Sequence, residues 1–219
     1  MLSRGRTLAT VTVFISALAV IASLAQATAA PSAPRAGDRN PSACILIDTD
    51  FDVDDLMAVP QLLATGRVAG IVTTEGVSLP STAASAITKA YAEPGGARRI
   101  PVIVGASSPT PRDVSSWPWL PALRDSMSRA NGHLSAAIAS ETTAAVSARQ
   151  ISTRVRAAVR GCRSITVVVV GPFTSFVSYS PAIRDRISRV VMQGKPITGD
   201  STQKPAETSF NCGYDLPAC

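Results

Sequence analysis

The stretch CILIDTDFDVDD, residues 44–55, runs a short apolar segment into five aspartates within eight positions, a third of the 15 acidic residues in the chain. Carboxylates that close together repel one another unless something positive lies among them. The apolar part shows no alternation of apolar and polar residues, which predicts a strand buried on both faces. Similar runs recur at VAGIVTT (68–74), IPVIVGA (100–106) and SITVVVVG (164–171), and inside RDRISRVVMQG (184–194), where a helix end leads into a strand.

Helical patterns separate these runs. DDLMAVPQLLATG (54–66) predicts a helix that Gly66 stops, with Pro60 expected to kink it or end it early. SAITKAYA (85–92) predicts a second helix, and the apolar spacing of Ala148, Ile151, Val155 and Val159 a third. SSPTPRDVSSWPWLP (107–121) reads as an irregular surface loop, and RANGHLSAA (129–137) places His133, the one histidine, in a solvated loop. Unalternating strands separated by helices imply a mostly parallel, Rossmann-like sheet in three α/β/α layers with right-handed crossovers. Ligands of such sheets gather at the carboxyl ends of the strands, where the aspartate cluster falls.

The N-terminus, MLSRGRTLATVTVFISALAVIASLAQATAA, has Arg4 and Arg6 ahead of an apolar core and small residues behind it. This is the layout of a secretory signal peptide over residues 1–30, cut near Ala29 or Ala30, with an uncleaved anchor as the alternative. Residues 31–43 read as a flexible leader and 44–219 as one domain, which places the mature protein outside the cell or in a periplasm. Of the four cysteines, Cys212 and Cys219 are spaced for a local loop, and Cys44 and Cys162 each flank a strand. An exported chain with an even count favours disulfides, and three connectivities are open. The net charge of +6 is spread over scattered arginines without interleaved aromatics, a solvated surface and not a nucleic-acid site. With the signal removed, nothing points to a membrane partner.

Four readings compete for the aspartates. An EF-hand loop counted from Asp48 needs Gly at its sixth position and Glu at its twelfth, but Val53 and Val59 stand there. A haloacid dehalogenase-type phosphatase also opens on a strand ending in D-x-D, with Asp48 as nucleophile and Asp50 as acid/base; Asp52 stands where that family has Thr. Helix capping accounts for one or two aspartates. A hard divalent cation accounts for more, because oxygen ligands and excess negative charge suit Ca²⁺.

DTDFDVDD after a hydrophobic strand resembles the D-x-D-P-G-x-D-D signature of the inosine-uridine-type nucleoside hydrolases. IPVIVGASSP resembles their V-x-x-G-A segment. The run from Ile165 to Gly194 resembles T-x-x-x-x-G-P-L-T-N-x-A, then P-x-(I/L)-x-x-x-(I/L) and V-x-M-G-G, and SFNCGYDLPA resembles E-F-N-x-x-x-D-P-x-A. The resemblance implies a nucleoside hydrolase-like fold acting on small-molecule nucleosides, with a homo-oligomer left open. It implies Ca²⁺ held by Asp50, Asp55 and the main-chain carbonyl of Val170. Asp50 would deprotonate the attacking water, Asp54 and Asn211 would contact the ribose, and Asp48 would support the metal site from beside it.

The chain departs from the pattern at Phe51-Asp52, where the family has Pro-Gly, and in TTEGVSLP, which offers Glu75, Val77 and Ser78 in place of a ribose-binding Asn. Ser209 replaces the Glu of E-F-N, with Glu207 two residues early, and Gln203 stands where an Asn precedes Asn211 by eight. The family continues past the position of Cys219 into a segment with another Asp ligand and a leaving-group His. The resemblance thus implies a domain incomplete at its C-terminus, a Ca²⁺ site of about 10⁻⁴ M or weaker, and slow turnover or nucleoside binding without turnover.

Overall fold

A computed structural model describes residues 43–91, 100–108, 116–134, 146–194 and 208–219, with backbone only at 132–134. The signal peptide, nearly all of the leader, Gln203 and Glu207 lie outside these residues. Five strands form one parallel sheet: β1 (Ala43–Thr49), β2 (Val68–Thr73), β3 (Val102–Val104), β4 (Ser164–Val169) and β5 (Ile187–Met192), in the order β3-β2-β1-β4-β5. Strand β1 is central and buried from Cys44 to Thr49, which explains its unalternating apolar run.

Side chains of β1 point alternately to two layers. Ile45 and Ile47 pack with Val59 of α1 (Asp55–Ala64) and with Ala83, Ala86 and Ile87 of α2 (Pro80–Ala90). Cys44 and Leu46 pack with Ile151, Val155 and Val159, two of them on α4 (Ala148–Ala158), and with Tyr179 at the end of α5 (Thr174–Tyr179). The architecture is the three-layer α/β/α one. A capping box between Ser147 and Gln150 starts α4, and Ile151, Val155 and Val159 of the stripe read from the sequence are buried, while Ala148 is exposed. Among the described residues no helix is long and apolar enough to cross a membrane.

Two sequence expectations change. Helix α1 runs through Pro60 to Ala64 instead of ending early, because Val59, Leu62 and Leu63 all pack against the sheet; Gly66, at φ 68°, follows the helix end. Part of the supposed surface loop and its continuation form α3 (Leu120–Leu134), whose backbone includes His133. Pro121 sits in the first turn of α3, where its missing N–H costs nothing. A short helix, α6 (Phe210–Tyr214), lies near the end of the chain.

The cysteines pair as Cys44–Cys162 and Cys212–Cys219. The first bond ties the start of β1 to the turn before β4 and closes a loop of sequence separation 118. Loops of that size restrict the unfolded chain strongly, and losing the cross-link typically costs about 2–4 kcal/mol. A Cys44→Ala/Cys162→Ala double variant is expected to lose that much in urea unfolding; a loss under about 1 kcal/mol contradicts the assignment.

Candidate active site at the carboxyl ends of the strands

All five strands run the same way, so the ends of β1, β2, β4 and β5 meet on one edge. The turn from β1 into α1 carries the aspartates. Phe51, fully buried, adopts φ 54°, a left-handed conformation that costs a bulky residue about 1–2 kcal/mol. A proline cannot adopt that angle, so this turn differs from one built on Pro-Gly. What holds it is burial of the Phe51 ring among Val59 and Ile87, an edge contact with Tyr91 at 6.5 Å, and the Phe51 N–H donating to Thr49 Oγ1 at 2.9 Å. Thr49 Oγ1 in turn donates to Asp55 Oδ2 at 2.5 Å, and the Asp52 N–H donates to the same oxygen at 3.3 Å.

Asp50 is 2% exposed and accepts at Oδ2 from the Val77 N–H, 2.8 Å away. Two glycines make room for it. A Cβ on Gly76 would sit 2.1 Å from Asp50 Oδ2, and one on Gly171 2.6 Å from Asp50 N. Asp48 lies deeper, with no exposure; among the described residues neither of its carboxyl oxygens meets the geometry of a hydrogen bond, and the equally buried Tyr179 hydroxyl is the polar group beside it.

Burial decides the electrostatics. It pushes Asp48 and Asp50 well above the usual carboxylate range, and the neighbouring Asp55 charge adds to both shifts. Asp55 is pushed up to about 6, first by burial and then by Asp54. Asp52, half-buried, is raised for the same first reason. Among the described residues no basic side chain forms an ion pair with any of these aspartates. Burial thus disfavours the charged forms of the carboxylates in this turn.

The pocket over this turn is lined by Asp50, Asp52 and Asp54 on one side and by Val170, Gln193 and Asn211 from the strand ends and α6 on another. Ser209, Phe210 and Trp119 form the remaining wall. The structure thus brings together Asp50, Asp54, Val170 and Asn211, with Asp55 beside Asp50 and Asp48 behind. Asn211 uses its amide nitrogen on two main-chain carbonyls, Val170 O at 2.7 Å and Gln193 O at 3.1 Å, leaving Oδ1 as its acceptor for a ligand. The position expected to hold a ribose-binding Asn is taken by the tight turn Glu75–Ser78, whose Gly76 and Val77 support Asp50.

Sequence reasoning missed the aromatic wall and Gln193. Trp119 is 46% exposed yet packs on Phe210 at 5.4 Å; Phe210 continues to Trp117 at 5.4 Å and Tyr214 at 5.3 Å. Tyr214 donates to Glu75 Oε1 at 2.5 Å and accepts from Arg124 at 2.9 Å, anchoring α6 to the β2 turn, and burial pushes its hydroxyl up to about 12. The signal was the W-P-W of a segment taken for loop.

Buried Asp50 and the Val170 carbonyl line the pocket, and buried Asp55 lies beside Asp50 outside that lining; neither carboxylate has a basic partner among the described residues, and oxygen donors of this kind suit a hard cation. Among the described residues no three His, Cys, Asp or Glu side chains converge as a metal-holding group.

A family model described as "Inosine-uridine preferring nucleoside hydrolase" matches residues 45–218. A search of curated proteins gives no match. Among solved structures, an inosine-uridine preferring nucleoside hydrolase from Bacillus anthracis is similar at TM-score 0.51 and 18% identity, over 80% of this chain and 60% of that one. The chain thus spans 60% of the length of that relative, and the likeness establishes the fold. The family match covers the strand-borne turn, the pocket and α6 together, and the chain belongs to the inosine-uridine preferring nucleoside hydrolase family.

Proposed function

We propose that this pocket hydrolyses the N-glycosidic bond of ribonucleosides with Ca²⁺ held by Asp50, Asp55 and the Val170 carbonyl. The observation that carries the reading is one pocket with an acidic floor and an aromatic wall, the two chemistries of a sugar joined to a flat base. A bound divalent cation would supply positive charge and lower the pKa of water in its shell. Asp50 Oδ2 is held by Val77, so Oδ1 is the atom that receives the proton of the attacking water. Asp54 and the Asn211 Oδ1 accept hydroxyls of the sugar, and Asp48, its carboxyl pushed well above the usual carboxylate range by burial, supports the metal site from behind.

General acid catalysis of base departure is commonly worth about 10²–10⁴ in rate, so slow turnover would mark a pocket without an acid for the departing base. Binding without turnover is the second reading. Release of reducing sugar from inosine, uridine and a nitrophenyl riboside, with and without Ca²⁺, separates them. Ligand binding without Ca²⁺-dependent release would leave only the second. The phosphatase reading draws no support, since its nucleophile Asp48 has no exposed surface. Export of the mature domain, with residues 1–30 removed, belongs to the same proposal, and two disulfides suit an oxidising compartment.

The aromatic wall has its own test. Stacking of a base on an aromatic side chain is worth about 1–3 kcal/mol. Trp119→Ala is therefore expected to raise KM for inosine by about 5- to 150-fold while leaving weak binding of a methyl riboside unchanged.

A further inference from the structure

Asp54 already has a partner in this pocket. Gln193 Nε2 donates to Asp54 Oδ2 at 2.9 Å. The Gln193 backbone is fixed where β5 ends: its N–H donates to Val169 O at 2.8 Å, and its carbonyl accepts from Asn211 at 3.1 Å. Both side chains line the pocket. In the V-x-M-G-G pattern that Val190 to Gly194 resembles, Gln193 occupies the place of the first glycine, which has no side chain to reach Asp54.

A site that reads a hydroxyl rejects the analogue lacking it mainly because its own polar group is then left unpaired in a desolvated pocket. Discrimination of that kind reaches about 10⁴–10⁵ where nothing replaces the lost bond. Here Asp54 and Gln193 are both exposed, so it is the ligand that desolvates Asp54, and the amide stays on it whether or not the sugar presents a hydroxyl. A carboxylate oxygen accepts from both donors when the hydroxyl is present and keeps one when it is absent.

We propose that Gln193 is a specificity-determining residue: it keeps Asp54 hydrogen-bonded and so relaxes the demand for the facing sugar hydroxyl, admitting deoxyribosides as ligands. The inference rests on the nucleoside reading above and adds which sugars the site takes. The amide reaches the carboxylate from the end of β5, two strands away from β1, so its loss changes sugar discrimination without removing a group from the β1–α1 turn.

The experiment compares the full chain with Gln193→Gly and, to guard against a weakened β5 end, Gln193→Ala. Calorimetry in Ca²⁺ measures binding of an iminoribitol and its 2-deoxy and 3-deoxy counterparts, which needs no turnover. The same ratios are then taken from kcat/KM on inosine and its 2′- and 3′-deoxy forms. The parent is expected to bind at least one deoxy ligand within about tenfold of the full sugar, and both variants to widen that gap by at least about tenfold. A gap equal in parent and variants, with the iminoribitol still bound, overturns the role of Gln193 alone. Failure of the parent to bind any of the three sugars overturns the nucleoside reading and this one together.

Discussion

Asp50→Asn is expected to lower Ca²⁺-dependent nucleoside hydrolysis by about 10²–10⁴, the usual worth of a general base, and to weaken Ca²⁺ binding in the same variant. The substitution keeps shape. An asparagine Oδ1 can still accept from the Val77 N–H, which lies 2.8 Å from the native oxygen, and Gly76 and Gly171 leave the same space. What it removes is the charge and the proton acceptor. Because the native carboxyl is driven far above its ordinary range by burial, the neutral amide should also make the cation-free protein more stable at pH 7.5. Lower activity with a higher melting temperature distinguishes loss of chemistry from loss of fold. Parent-like hydrolysis in Asp50→Asn would show that another group takes the proton.

The cation-free protein should lose stability as pH rises from about 4 to 7.5, and Ca²⁺ should return it. Asp55 titrates at about 6 in the folded chain and near 3.9 when unfolded, so the folded state holds its proton over the interval between. A raised folded pKa contributes stability that is complete below the unfolded value and is lost as pH climbs through the folded one. A shift of that size amounts to about 3 kcal/mol, or roughly 6–12 °C in melting temperature for a domain of this size. Asp48 and Asp50 act in the same direction and extend the loss to higher pH. Melting curves in chelator at pH 4.5, 6 and 7.5, repeated with millimolar Ca²⁺, read the effect. A cation-free melting temperature that rises from pH 4.5 to 7.5 contradicts the buried-carboxyl assignment.

Local pattern made the sheet legible because its inner strands β1 and β2 are buried on both faces and carry apolar runs such as Ile45–Ile47, while β4 and β5 keep apolar runs although β5, at the edge, is largely exposed. Helix α4 showed itself by a stripe ending on Val159. Helix α3 did not, since Pro118 and Pro121 and its polar residues look like loop punctuation and its buried apolar side chains among the described residues, Leu120 and Met127, are few. The floor of the site was legible for a related reason: five aspartates in eight positions are costly anywhere but at a site. Gln193 and Trp119 carry no such local cost. Each is ordinary in its own segment, and only the closeness of strand ends and helices far apart in the chain brings them to the pocket.

The central strand has a consequence for the order in which the protein comes into being. Ala43 pairs with Ser164 and Asp48 with Val169, so the first strand waits for a neighbour that leaves the ribosome long after it. Its other neighbour, β2, is close in sequence, but β1 and β2 alone bury only part of either face. Non-local parallel pairing of this kind is slow, and the chain stays open while it is pending. A polypeptide that must be threaded through a narrow conduit before it folds gains from that delay. Cys44 and Cys162, brought together only when β4 docks, would then be oxidised late, on whichever side of the barrier folding is completed.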